Sequence, residues 1–569
     1  MSATPTRIFP HLRCREKSGR LVGMARNLEA DLATLRTVLT YAENRDFQRA
    51  GALAEQTLAS GFEHPLLLNV AATRLEQEGK FEESLRLLQR AVAIAPGDVG
   101  ARNALALCLQ RLDRPAEALY HVDELLTKHP ELGFAHANKG NALISLGWLG
   151  RAKQSHLRAL ELEPGNLAAT AALASIATHR GEHDEARSWA EQALKLAPGF
   201  PDAVLSLAAA ELASGAASRA EARLQQLILD SRAGASDKAR ASGLLGDVLD
   251  ALGRYAEAFD AYSACNEALR QIHRRFASGT SMLAYSRALS AAMQNIGGQM
   301  TRNPTAENPA AQADSAAALG HIFLLGFPRS GTTLLEVVLD GHPQVASIEE
   351  HELLTDAVLK FMREPLNFEP LARANESELR PLRAAYWDGV RKSGIDVAGK
   401  MFVDKHPLNT LKLPLIARLF PSAKVLFASR DPRDVVLSCF RRRFKMNPAM
   451  YELLTLPGAA AFYDAVMRFA DQVRPMLGLD WREVRYETLV ADLALETSAI
   501  CKFLGLEWVA EMGDFAARVQ GREHATPSTA QLSRGLDRSG IEQWRNYGAQ
   551  LEPIFPTLNV WVERLGYRT

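Results

Sequence analysis

The sequence carries no excess charge of either sign. Lys+Arg and Asp+Glu each number 66, so no global field draws the chain to nucleic acid or to an anionic membrane. Cysteine is scarce. Cys14, Cys108, Cys265, Cys439 and Cys501 are scattered, odd in number and never in C-x-x-C spacing. That pattern fits neither a disulfide framework nor a zinc site, so no metal is expected and a reducing compartment suits the chain. No apolar run approaches the roughly 18 residues of a membrane-spanning helix. The first residues, MSATPTRIFPHLRCREKSGRLVGM, are basic but lack the apolar centre of a signal peptide. Residues 1–29 therefore read as a disordered leader, or as a start assigned too early with Met24 as the first residue. The expected location is the cytoplasm.

What is present exceeds one core. At 569 residues the chain should hold two or three domains. From 30 to 272 it is rich in Ala and Leu and poor in proline within its helical segments. Pro96, Pro130, Pro164 and Pro198 are 34 residues apart, as are the turn positions Gly79, Asp113, Gly147, Gly181 and Gly215, with Gly253 displaced by four. Five residues after each turn stands a small residue: Ser84, Ala118, Ala152, Ala186, Ala220 and Ala258. A second small site follows at Ala91, Ala159 and Ala193. This period is similar to that of tetratricopeptide repeats. The turn residue ends one helix in a left-handed conformation, the small residue lets the second helix approach, and proline blocks continuation. The expectation is an all-α superhelix of about six to seven repeats over 30–272, with an insertion near Asp230–Asp237. Its groove would bind a protein or peptide; otherwise the array is a scaffold that positions its neighbour or mediates self-association.

Residues 273–317 read as a bridging helix, about Ser281–Gly297, and a polar, proline-bearing linker over 301–315. From 318 to 569 short apolar runs alternate with helical patterns. His321–Leu325, Lys400–Asp404, Lys424–Ser429 and Asp480–Tyr486 are strand candidates. Glu352–Arg363, Glu376–Ser393, Leu408–Leu419, Asp434–Arg443 and Leu493–Leu504 are helix candidates. The alternation predicts an α/β domain with a central parallel sheet and its sites at the strands' carboxyl ends.

One absence here is informative. Gly326-Phe-Pro-Arg-Ser-Gly331 follows a strand and opens a helix, the arrangement whose amides and dipole cradle an anion. Its G-x-x-x-x-G spacing is that of a P-loop, but the lysine expected next is Thr332, followed by Thr333. A second anion pocket is suggested downstream. Arg430 ends a strand, Asp434 would cap the next helix, and Ser438 and Arg442 are four apart and so on one helical face. Arg441 and Arg443 read as a solvated face.

The residues GFPRSGTT and ASRDPRDVVLS resemble the 5′-phosphosulfate loop and 3′-phosphate motif of sulfotransferases that use 3′-phosphoadenosine-5′-phosphosulfate (PAPS). EEH, VDKHP and RYETLV are similar to the tyrosylprotein sulfotransferase branch and its TPR-linked bacterial relatives. The resemblance spans about 318–550 and implies PAPS as co-substrate with no metal. It implies a donor loop of Pro328, Arg329, Ser330, Gly331, Thr332 and Thr333, and a 3′-phosphate site of Arg430, Ser438 and Arg442. It further implies Tyr486 against the adenine, and Lys405, Arg329 and Ser528 at the reaction centre. Arg534 stands where a late loop would close over the 3′-phosphate.

A P-loop lysine is dispensable for such a donor, because the transferred SO₃ is less negative than a phosphoryl group and charge grows on the oxygen leaving with the 5′-phosphate. The acceptor hydroxyl needs a base. Alignment by eye to the tyrosylprotein branch puts it at Glu350, with Glu349, His351 and His406 as alternatives. Neighbours in one strand point to opposite faces, so one of Glu349 and Glu350 should face the acceptor. The branch has an Arg just after its Glu pair that helps hold an acidic peptide; this chain has Glu352 two residues beyond Glu350. The acceptor is a hydroxyl of protein tyrosine, a glycan or a small molecule. Two other readings compete: a P-loop nucleotide kinase or NTPase with Asp404 holding magnesium, and a TPR adaptor whose second domain only binds nucleotide.

Overall fold

The computed structural model describes residues 22–279, 281–296, 318–516, 518, 535, 536 and 538–568. By packing, the chain divides into two compact units, one ending at Ala210 and the other beginning at Glu211. The division falls inside the repeat array.

The first unit is built from helix pairs: α1 (Val22–Glu43) and α2 (Phe47–Ala59), α3 (Pro65–Gln77) and α4 (Phe81–Ile94), α5 (Val99–Arg111) and α6 (Pro115–Lys128), α7 (Gly133–Ser145) and α8 (Leu149–Leu162), α9 (Leu167–Arg180) and α10 (His183–Leu196). Each pair packs within itself and onto the next. The periodic turn residues all lie in the left-handed region, with φ of 76° at Gly79, 58° at Asp113, 81° at Gly147 and 74° at Gly181. Arg45, one 34-residue period before Gly79, shares the conformation at φ 60°. It marks an earlier turn of the same kind, hidden because arginine gives no turn signal. Ser84, Ala118, Ala152 and Ala186 expose no surface. Each sits where a second helix presses close, so a longer side chain would force the pair apart.

Helix α11 (Pro201–Ala213) spans the division. The second unit continues through α12 (Ala217–Leu229), α13 (Ala235–Ala251), α14 (Tyr255–Ile272) and α15 (Met282–Ile296). Gly253 again turns α13 into α14 with φ 73°. Ala258, Tyr262, Leu289 and Met293 of α14 and α15 share one continuous core with Phe323, Phe427 and Phe462 of the following α/β region.

That region holds a five-stranded sheet of β1 (Gly320–Gly326), β2 (Val345–Glu349), β3 (Met401–Lys405), β4 (Lys424–Ser429) and β5 (Asp480–Arg485). The order is β2-β3-β1-β4-β5 and every pairing is parallel. Ile322, Leu324 and Val403 pack on one side with α16 (Thr332–Leu339), while Phe323, Leu325 and Phe402 join the core on the other. Coverage of both faces explains why the inner strands β1 and β4 read as near-continuous apolar runs, while the edge strand β5 does not. Beyond the helices expected from the sequence, the 22-residue α20 (Leu456–Leu477) supplies buried Phe462, Val466 and Phe469, and Gln472 Nε2 donates to the Ser290 carbonyl of α15 at 2.8 Å. Between them in sequence lie α17 (Glu376–Lys392), α18 (Leu413–Leu419) and α19 (Pro432–Arg441). The chain leaves β1 for β2 and β3 on one side and reaches β4 and β5 on the other. The carboxyl end of β1 therefore sits at the reversal of strand order, where crevices of such sheets form.

Candidate active site

The glycine loop sits at that reversal. Gly326 has φ 147°, and a Cβ there would stand 2.6 Å from the Ala428 carbonyl oxygen of β4. Gly331 has φ 97°, and its Cβ would stand 2.6 Å from Cδ2 of Tyr486. Glycine is required at both, by close approach as well as by conformation. Between them Arg329 holds φ 70°, a left-handed residue whose strain of roughly 1–2 kcal/mol is borne by the surrounding contacts. The first amides of α16 follow at Thr332 and Thr333.

Parallel register sets Lys405 of β3 beside Glu349 of β2 and Leu324 of β1. Lys405 is fully buried, and its Nζ lies 2.8 Å from Glu349 Oε1, 2.9 Å from Glu350 Oε1 and 3.7 Å from Glu336 Oε2. Burial opposes its charge, but the carboxylates outweigh that and hold the ammonium above the ordinary lysine range. For Glu350, burial pushes the carboxyl up, and Lys405 more than reverses this, leaving it below its usual value. Strand alternation predicts opposite faces for Glu349 and Glu350, and this is corrected. Both reach the same lysine because Glu350 leaves the strand at φ 52°, its amide donating to the Lys405 carbonyl at 2.7 Å. Glu349 is 15% exposed and Glu350 51%, so Glu350 is the more open of the two.

Glu336 was not foreseen from the sequence. It is buried on α16 and accepts from Ser347 Oγ at 3.0 Å. Its signal was a lone carboxylate inside the apolar run Leu334-Leu-Glu-Val-Val338. His406 and Lys412 both pair with Glu352, at 3.1 and 2.5 Å. Those contacts, His406 foremost, hold the Glu352 carboxyl down at about 2. His351 Nδ1 lies against the Glu349 carbonyl at 2.9 Å.

A second group gathers beside the loop. Arg329 Nε donates to Ser438 Oγ at 3.0 Å, and Arg430 Nη1 donates to the Arg329 carbonyl at 3.1 Å. The Arg430 guanidinium also lies 4.7 Å from the Tyr486 ring centroid. Burial pushes Arg329 down to about 9, and the charges of Arg442 and Arg430 add to the effect. Guanidinium groups crowded in this way make a site suited to an anion. Ser438 lies on α19, but the helix ends at Arg441 and Arg442 is extended, with φ −92° and ψ 134°. A shared helical face is therefore not what groups Ser438 with Arg442.

Two further expectations are corrected. The cap of α19 is Asp431, which accepts from the Arg433 amide at 2.9 Å. Asp434 lies inside the helix, buried, and accepts from the amides of Glu542 and Trp544 at 2.8 and 2.9 Å. Arg441 and Arg443 do not form a solvated face: they pair with Asp250 and Asp247 of α13. Pro328, Ser330 and Thr332 are buried in the loop as its geometry requires. Ser528 and Arg534 lie outside the described residues.

Residues 321–510 match the Sulfotransferase family model, and tetratricopeptide repeat models match 75–137, 138–201 and 181–236. Protein-tyrosine sulfotransferase 2 of Gallus gallus is 28% identical over 200 residues, covering 33% of this chain and 51% of that protein. Protein-tyrosine sulfotransferase A of Caenorhabditis elegans is 28% identical over 270 residues, covering 43% and 67%. An uncharacterized protein of Aquifex aeolicus is 28% identical over 256 residues, covering 43% and 33%. The chain thus spans between a third and two thirds of the length of these curated relatives. A tetratricopeptide repeat protein from Parabacteroides merdae overlaps 42% of the chain at 19% identity, with a TM-score of 0.35. This chain joins tetratricopeptide repeats to a domain of the sulfotransferase family.

Proposed function

We propose that the protein transfers a sulfuryl group from PAPS to a hydroxyl acceptor. The observation that carries this reading is the placement of a buried lysine between two glutamates, Lys405 with Glu349 and Glu350, at the carboxyl end of the sheet, which also bears the glycine loop. PAPS supplies an activated sulfuryl group on its 5′-phosphate. Arg329 and the amides of Ser330, Gly331, Thr332 and Thr333 receive that end, and Arg430, Ser438 and Arg442 hold the 3′-phosphate. Tyr486 lies against the adenine.

Glu350 takes the acceptor's O–H proton as the acceptor oxygen bonds to sulfur. The bond from sulfur to the bridging oxygen breaks, and its electron pair stays on the departing 5′-phosphate. Lys405 and Arg329 offset the charge that collects there. Glu350 is ionised before the acceptor arrives, since Lys405 holds its carboxyl low. The nucleotide-kinase alternative draws no support from Asp404. That residue is buried on the other face of β3, where it accepts from Tyr386 at 2.7 Å.

Protein tyrosine is the first acceptor to test, because two of the relatives above are named for it. Glu352, bound to His406 and Lys412, weakens the case for an acidic peptide. The repeat array would recruit or present the acceptor. The test is incubation with labelled PAPS and a panel of tyrosine peptides, glycans and phenols, with Lys405→Ala as control. Label in one acceptor class, lost in the variant, supports the reading. Failure of the wild-type chain to bind adenosine 3′,5′-bisphosphate overturns it.

A further inference from the structure

We infer that the last repeat hairpin, α13–α14, positions Arg442 for its anion through Asp247 and Asp250. This rests on the reading above that Arg442 helps hold the donor's 3′-phosphate. Three arginines in a row, Arg441 to Arg443, leave the end of α19. They repel one another, and nothing local decides which of them serves the pocket. The hairpin decides it. Asp250 Oδ2 accepts from Arg441 Nη2 at 2.8 Å, and Asp247 pairs with Arg443. Both carboxylates are held in turn: Tyr262 donates to Asp247 Oδ1 at 3.0 Å, and Tyr547 donates to Asp250.

Arg442 itself is extended where Arg441 is still helical, so it stands between two pinned neighbours. Its charge is felt both at Asp247 of α13 and at Arg329 in the loop. The backbone is anchored as well. Asn266 Nδ2 of α14 donates at 2.9 Å to the Phe440 carbonyl, one of the acceptors that a helix end leaves unpaired. Phe259 stacks on Phe440 at 5.2 Å. Gly243 makes room for the approach, since a Cβ there would stand 2.5 Å from Arg443 Cδ. A repeat hairpin thus forms part of the support of a nucleotide site, and the repeats are more than a tethered adaptor.

The test uses the full chain with Asp247→Asn and Asp250→Asn together, titrated with adenosine 3′,5′-bisphosphate and, separately, adenosine 5′-monophosphate. Binding of the bisphosphate should weaken about tenfold, in the range expected for a coupled charge pair. Monophosphate binding should hold. The KM for PAPS should rise, with kcat at saturating donor within about twofold of wild type. Exchanging the charges, Asp250→Arg with Arg441→Asp, should recover part of the loss suffered by Asp250→Arg alone. Undiminished bisphosphate binding overturns the inference while leaving the proposed reaction standing. An equal loss for both nucleotides with a lowered melting temperature also overturns it, since the hairpin would then be only structural. A wild-type chain that binds no bisphosphate removes the proposed reaction itself.

Discussion

Replacing Lys405 by methionine should separate two losses that an activity assay alone would merge. The lysine exposes no surface and has carboxylates at 2.8, 2.9 and 3.7 Å. At an effective dielectric near 20, each of the two closer pairs is worth a gross attraction of about 6 kcal/mol. Burial of the charges offsets most of that. What remains to be lost on removing the cation is the cost of uncompensated carboxylates, roughly 3–5 kcal/mol. Glu336 and Glu349 bear most of it, because Glu350 is half exposed. Chemical denaturation at pH 7.5 should therefore show Lys405→Met destabilised by that amount. Adding Glu336→Gln and Glu349→Gln should return most of it, since neutral groups need no counter-charge. Sulfuryl transfer should not return. With no cation at the leaving oxygen, the triple variant should stay roughly a hundred- to ten-thousandfold slow. The reasoning is refuted if Lys405→Met unfolds like Lys392→Met, a lysine whose side chain is 78% exposed. It is refuted equally if the two glutamine substitutions give no recovery.

Glu350→Gln should lower kcat roughly a hundred- to ten-thousandfold with little change in donor KM, and Glu349→Gln should lower it less; steady-state kinetics on the two variants would show the reverse if Glu349 were the base. Because Lys405 holds the Glu350 carboxyl below its usual value, activity should persist as pH falls toward the ordinary carboxylate range and fail only below it, read from kcat/KM against pH. Asp404, raised by burial to about 6, contributes stability while protonated and loses it as pH rises through about 6. Asp404→Asn should therefore gain up to about 3 kcal/mol on wild type at pH 8 and nothing at pH 4, and equal differences at the two pH values in denaturant melts would contradict this. Gly331→Ala meets both a φ of 97° and the Tyr486 ring and should cost roughly 1–3 kcal/mol together with donor affinity. Gly399→Ala, with φ 66° and open space, should cost about 1 kcal/mol in the same melts and leave donor binding intact.

Some of this molecule is written locally. The turn at Asp113, the wholly buried Ala118 and the glycine loop each depend on the conformations open to one residue or on the room for one Cβ, and such constraints repeat wherever the backbone repeats. They were legible for that reason, as were β1, β3 and β4 from their buried apolar runs and β5 from its alternation. Strand β2 was harder to read, because its five residues include Ser347 and end in a carboxylate.

The charges were another matter. Glu336 meets Lys405 only once β3 lies between β1 and β2, and Asp247 meets Arg443 across 196 positions of chain. A left-handed φ at Glu350 brings it to the lysine that strand alternation would have denied it. The sequence alone determined the repeat period, the α/β alternation and the glycine loop between strand and helix, because these rest on short-range sterics. Tertiary structure alone decided which carboxylate faces which cation, because that depends on strand order and on the direction in which single residues leave an element.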